Sequence, residues 1–141
     1  MADLAVRVRL VEGSTSLATA RSHGVVIDRP TDKGGGDLGF LGGELLLASE
    51  GGCPLSNLVA AAQARGIRLH QVDVTVRGIP ADHPPRFAEV LVEVAMEADA
   101  SPEDLDTLLT VAERGCIVSN TLRGGTMLTV RRRDDAAVPA S

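Results

Sequence analysis

The chain has 141 residues, a net charge of −5 and only two aromatic residues, Phe40 and Phe87. That length suits one domain able to bury a core without staples. The acidic balance repels phosphate backbones, and so few aromatics give no base-stacking platform, so nucleic-acid binding is excluded. The longest apolar run, Leu45 to Ala48, is far too short to span a bilayer, and Met1-Ala2-Asp3-Leu4 lacks the pattern of a signal peptide. The expectation is a soluble, cytoplasmic protein with no membrane partner. In that compartment Cys53 and Cys116 are reactive or simply buried, not permanently bridged.

In chain order, Leu4, Val6, Val8 and Leu10 alternate with Arg7 and Arg9, which predicts a half-buried strand. Glu12-Gly13-Ser14 reads as a turn, Ser16 to Ala20 as a second strand, and Val25 to Ile27 as a short third. Thr31 to Asp37 is glycine-rich, but no Gly-Lys-Ser/Thr ending leads into a helix, so it is a connector and not a phosphate cradle. Gly43 to Ala64 predicts a central helix, apolar on most of its circumference and capped by Gly66. Pro54 either bends it or opens a second helix. In the second case Cys53 would lie at a helix N-terminus, where unpaired N–H groups favour the thiolate.

Val72, Val74 and Val76, then Ala88 to Glu97, predict two longer strands joined by a proline-rich loop from Gly78 to Pro85. Ser101-Pro102-Glu103-Asp104 starts a helix: Ser101 caps it, Pro102 suits its first turn, and the acids face its positive end. Leu105, Leu108, Leu109 and Ala112 form its apolar stripe, and Gly115 ends it. Thr126 to Arg131 predicts a last strand. Residues 1–133 then make one domain and 134–141 a disordered tail. The class is α+β with largely antiparallel sheets around a long central helix. One sheet covers only one side of that helix, and a second subunit would cover the other.

Candidates for chemistry are few. No Cys-x-x-Cys occurs, and His23, His70 and His83 are scattered, so no metal is expected. Ser56 and Ser119 lack a Gly-x-Ser-x-Gly context. Glu44 and Glu50 stand six apart on one helix, on different faces. This leaves Cys53, in Gly51-Gly52-Cys53-Pro54, and Cys116, in Gly115-Cys116-Ile117-Val118-Ser119-Asn120. Burial as core fillers is the competing reading for both.

The segments Gly34-Gly35-Gly36-Asp37-Leu38-Gly39 and Glu44 to Cys53 resemble the first cysteine motif of the OsmC/Ohr family, the osmotically inducible and organic hydroperoxide resistance proteins. Cys116-Ile117-Val118-Ser119-Asn120 is similar to the second motif. The resemblance implies an OsmC-like fold in an intertwined homodimer. It also implies a thiol peroxidase in which Cys53 attacks a hydroperoxide, becomes a sulfenic acid and is resolved by Cys116 into a disulfide. A dithiol would then reduce that disulfide, and no cofactor is required. The chain departs from the family pattern at four places. Gly43 stands where the active enzymes carry a glutamate, Ala18 stands near their arginine, Ile117 replaces a proline, and Pro54 follows the first cysteine. Glu44 and Arg21 are the nearest substitutes for the glutamate–arginine pair. Those departures also admit a non-catalytic dimer that binds a small apolar ligand near Cys53.

Overall fold

The computed structural model describes residues 1–133. Its elements are β1 (Arg7–Glu12), β2 (Thr15–Ala20), β3 (His23–Ile27), α1 (Gly42–Ala64), β4 (Leu69–Asp82), β5 (Pro85–Ala98), α2 (Pro102–Arg114) and α3 (Ile117–Gly124). Strands β1, β2 and β3 form an antiparallel meander, and β4 and β5 form a separate antiparallel hairpin.

The glycine-rich segment after β3 is a connector, as its composition predicts, and buried Asp28 anchors it. The Asp28 carboxylate accepts hydrogen bonds from Ser14 Oγ (2.5 Å), Thr15 Oγ1 (3.0 Å) and the N–H groups of Arg29 (2.7 Å) and Leu38 (3.2 Å). The Ser14 bond, foremost among these, holds its acid well below the usual range, at about 2, against the opposing effect of burial.

Helix α1 runs unbroken through Pro54 for 23 residues. Proline there leaves the Glu50 carbonyl without its helical donor, yet no second helix starts. Cys53 is therefore an interior helical residue, not one at the N-terminus of α1. The helix ends as predicted at Gly66, whose φ of +65° is the left-handed conformation glycine adopts freely. Ile67 N–H reaches Ala62 O (2.9 Å) and Gly66 N–H reaches Gln63 O (3.2 Å), which closes a Schellman motif. By length and composition α1 could also cross a membrane. Here it is the core helix, laid against the β4–β5 hairpin and α2.

The core is Leu58, Ala61 and Ala62 of α1 against Leu108 and Ala112 of α2, walled by Val72, Val94 and Met96 of the hairpin. Helix α2 starts as the sequence predicts, with Ser101 Oγ accepting from Asp104 N–H at 3.2 Å.

Four expectations need correction. The stretch from Gly78 to Pro85 is not a loop: β4 continues to Asp82, and the chain turns only at His83-Pro84 before β5 begins at Pro85. Its prolines fit because Pro80 stands at a break in register and Pro85 is the first residue of its strand. Residues 117–124, for which the residue pattern predicts no element, form α3. Thr126 to Arg131 carries no strand pairing among the described residues. An extended segment becomes a strand only beside a partner edge, and Met127, Leu128 and Val130 stand exposed. Finally, β1 has no buried face: Leu4, Val6, Val8 and Leu10 are all exposed. The segment 134–141, expected to be a disordered tail, lies outside the described residues.

Candidate active site

Three residues of α1 share one face at helical spacing: Glu50, Cys53 and Asn57. Each meets a different part of the chain that follows. Asn57 Nδ2 donates to Ala112 O of α2 at 3.2 Å. Cys53 reaches Cys116, which caps α3. Glu50 accepts the Ser119 hydroxyl, at 2.9 Å to Oε1 and 3.0 Å to Oε2. The adjacent helix face is pressed on β4, where a Cβ at Gly51 would stand 3.0 Å from Val76 Cγ2.

The two cysteines are free thiols, Cys53 half-buried and Cys116 fully buried. The structure brings them within hydrogen-bonding reach across the joint between α1 and α3, 63 positions apart in sequence. Short helix α3 aims its first amides at them. The N–H groups of Val118 and Ile117 face Cys53, while Ser119 N–H donates to Cys116 Sγ at 3.4 Å. These are the orphan donors of a helix N-terminus, and they favour negative charge on sulfur. A helix N-terminus does serve the thiols, then, but it belongs to α3 and not to a second helix beginning at Pro54.

The two sulfurs are not equivalent. Burial pushes the Cys53 thiol up, and its hydrogen bond to Cys116 pushes it further in the same direction. Burial also pushes Cys116 up. There it is outweighed by hydrogen bonding with the Ser119 side chain, the Cys53 thiol and the amides of Ser119 and Val118, so the Cys116 thiol lies below its usual range. Cys53 is thus the donor of the pair and Cys116 the acceptor.

The two substitutes considered for the family's activating pair stand elsewhere. Glu44 folds back on the start of α1, its Oε1 accepting Leu41 N–H at 2.9 Å. Arg21 is an exposed turn residue between β2 and β3 with φ +55°. A side chain at position 43 has no room to spare, because a Cβ there would stand 3.2 Å from Phe87 Cζ. The charged group that does approach the cysteine pair is Glu50, buried in the middle of α1. Its sequence signal is a lone acid in an apolar helix three residues before a cysteine, hence on the same face. Beside Glu50 and Ser119 lies a cavity of about 330 Å³, also lined by Leu46, Phe87, Val90 and Arg123.

The fold has counterparts among known proteins. A family model described as OsmC-like protein matches residues 34–131. No curated protein matches the chain. Among solved structures, an OsmC-like protein from Mycoplasma pneumoniae superposes with a TM-score of 0.78 at 20% identity, over 88% of this chain and 89% of that one. An organic hydroperoxide resistance protein OsmC from Legionella pneumophila does so at 0.61 and 19% identity, over 88% and 93%. An organic hydroperoxide resistance protein from Elizabethkingia anophelis does so at 0.58 and 19% identity, over 89% and 91%. With the matched segment covering both cysteines and every element from α1 to α3, the chain belongs to the OsmC-like protein family.

Proposed function

We propose that this chain is a thiol-dependent peroxidase that reduces organic hydroperoxides, or hydrogen peroxide, through Cys53 and Cys116. The observation that carries this reading is the contact of two free thiols beneath the amides of α3. Membership of a family whose solved relatives include hydroperoxide resistance proteins supports it.

Cys53 is the sulfur within reach of a substrate, since Cys116 is fully buried. Cys116 is the more acidic of the two, and its thiolate accepts the Cys53 thiol proton as Cys53 attacks the distal oxygen of the hydroperoxide. The O–O bond breaks, and the alkoxide takes a proton from water and leaves as alcohol. Cys53 is then a sulfenic acid and Cys116 a thiol. Attack of Cys116 on the Cys53 sulfur forms the disulfide and releases water. A dithiol reductant returns the protein to its starting state. No step needs a metal or a bound cofactor.

The working unit in this reading is a cytoplasmic homodimer. The chain exposes 10564 Å², against roughly 6,900 Å² for a compact monomer of its mass. The exposed apolar residues of β1 and of 126–130 support this reading, since a second copy could cover them.

The test is intact mass with thiol counting after one equivalent of cumene hydroperoxide is added to the reduced protein. The expected result is loss of both thiols and two hydrogens, with the bridge mapped between Cys53 and Cys116. Cys116→Ser should stop at a dimedone-trappable sulfenic acid on Cys53, and Cys53→Ser should not turn over. Two intact thiols after prolonged exposure would refute the proposal.

A further inference from the structure

Closing the disulfide requires the Cys116 proton to leave a buried sulfur, and bulk water does not reach that atom. The groups in contact with it show a route. Ser119 Oγ lies within hydrogen-bonding reach of Cys116 Sγ and donates to both carboxylate oxygens of Glu50. A hydroxyl has one hydrogen and two lone pairs. While that hydrogen is committed to Glu50, a lone pair is free to accept the Cys116 S–H. Cysteine, serine and glutamate therefore form a continuous donor–acceptor chain, held by α3 on one side and α1 on the other.

Glu50 is unusual for its place. It is buried in a largely apolar helix, and one hydroxyl serves both of its oxygens. Arg123 lines the same cavity but pairs with Glu113. A buried carboxylate so thinly partnered is costly unless it has a task.

We propose that Glu50, a positioning residue acting through Ser119, accepts the proton that Cys116 loses as the disulfide closes. The Cys116 thiol gives its proton to Ser119 Oγ while Ser119 passes its own to Glu50. The Cys116 sulfur then bonds to the Cys53 sulfur and the S–O bond of the sulfenic acid breaks. Cys116 is oxidised and Cys53 reduced by one step each. The departing hydroxide and the proton held on Glu50 together make the water released, which leaves Glu50 a carboxylate again. The relay fills the gap left by Gly43 and by the outward position of Arg21, from a different point on α1. It rests on the peroxidase reading for its place in a cycle, but the exchange between Glu50 and Cys116 can be tested apart from peroxide.

The experiment compares wild type, Glu50→Gln, Ser119→Ala and Ser119→Thr by rapid quench with dimedone and iodoacetamide after one equivalent of cumene hydroperoxide, from pH 6.5 to about 9.5. Glutamine keeps an oxygen for Ser119 to donate to, so it removes the base and retains the contact. Without the relay, closure depends on the Cys116 thiolate that the α3 amides and the pH alone can sustain. Glu50→Gln and Ser119→Ala should then accumulate sulfenic acid and close roughly ten-fold more slowly at pH 7, the gap narrowing as the pH rises and the thiolate forms without a base. Ser119→Thr, which keeps the hydroxyl, should close near the wild-type rate.

Other titratable groups face the site: Cys53 on α1, Glu89 on β5, Glu113 on α2 and Arg123 on α3. All are unchanged in every variant, so a difference between profiles reports the relay. If Glu50 merely repelled the thiolate, Glu50→Gln would close faster than wild type at pH 7. That result, or an equal rate, overturns the proposal. If Glu50→Gln fails to fold, as judged by circular dichroism, Ser119→Ala decides.

Should even the wild type resist hydroperoxide, the peroxidase reading fails, and closure driven by the azodicarboxamide oxidant diamide decides the relay alone. Slower closure by Glu50→Gln at pH 7 then upholds it, and equal closure overturns it.

Discussion

Phe87 is clamped between two glycines, and the clamp can be tested. A Cβ at Gly78 would lie 2.5 Å from Phe87 Cδ1 and 2.6 Å from Cε1, so the ring stacks directly on the β4 backbone. On its other edge, a Cβ at Gly43 would lie 3.2 Å from Cζ. The ring therefore joins the start of α1 to the hairpin, and neither edge can retreat without pressing on the other glycine. Gly78→Ala must displace the ring, an overpacking cost of about 1–3 kcal/mol. Gly43→Ala asks for a shift of a few tenths of an ångström and gains up to about 1 kcal/mol of helix propensity, so the two effects nearly cancel. The assay is urea unfolding at one fixed protein concentration, since an oligomer's midpoint depends on it. We expect Gly78→Ala to lose about 2 kcal/mol and Gly43→Ala to stay within about 1 kcal/mol of the parent. Gly43→Glu should fall below Gly43→Ala. Phe87→Leu in the Gly78→Ala background should recover part of the loss, with a coupling energy of about 1 kcal/mol or more. Strict additivity of the Gly78 and Phe87 changes would refute the clamp and, with it, the explanation of why no glutamate stands at position 43.

Two further outcomes follow from the core and from Asp28. Leu108 is fully buried between Leu58 and Ala112 at the α1–α2 joint, so Leu108→Ala should cost about 2–5 kcal/mol, read as a lowered urea midpoint with an unchanged slope. Asp28 has a depressed acid constant in the folded chain, so its contribution to stability is complete above the unfolded value near pH 4. It should fade as the pH drops toward about 2. Thermal midpoints measured across that window should fall less steeply for Asp28→Asn than for the parent protein.

The elements that came through in the sequence are those whose causes are local. The alternation in Val72-Asp73-Val74-Thr75-Val76, the Ser101-Pro102 helix start and the Gly66 helix end each act over a few residues, and each appears where expected. What was hidden depends on distant contacts. Pro80 and Pro85 suggested a loop because prolines interrupt ladders, yet one stands at a register break and the other opens a strand. Thr126 to Arg131 has the pattern of a strand, but pattern does not supply a partner edge. Likewise β1 alternates perfectly while neither of its faces is covered within the chain.

The site shows the same division. Cys53 and Cys116 were named from the sequence, and their pairing was implied only by the family resemblance, because the contact itself is tertiary. The idea that a helix N-terminus favours a thiolate was sound physics attached to the wrong helix. Pro54 does not open a new helix, so Cys53 takes its amide donors from α3, a segment whose helical character the sequence reading missed. The same contact makes Cys116 the more acidic sulfur. Cys116, the cap of α3, receives the strongest set of donors, while Cys53 gives its hydrogen to Cys116. Glu44 and Glu50 were set aside because six residues place them on different helix faces. That separation is what frees Glu50: Glu44 is held by the Leu41 amide, and Glu50 lies on the cysteine face opposite Ser119. A pair of thiols in contact can form a disulfide wherever it occurs. What this fold adds is a first turn of amides to hold the charge and a buried carboxylate, one hydroxyl away, to take the proton.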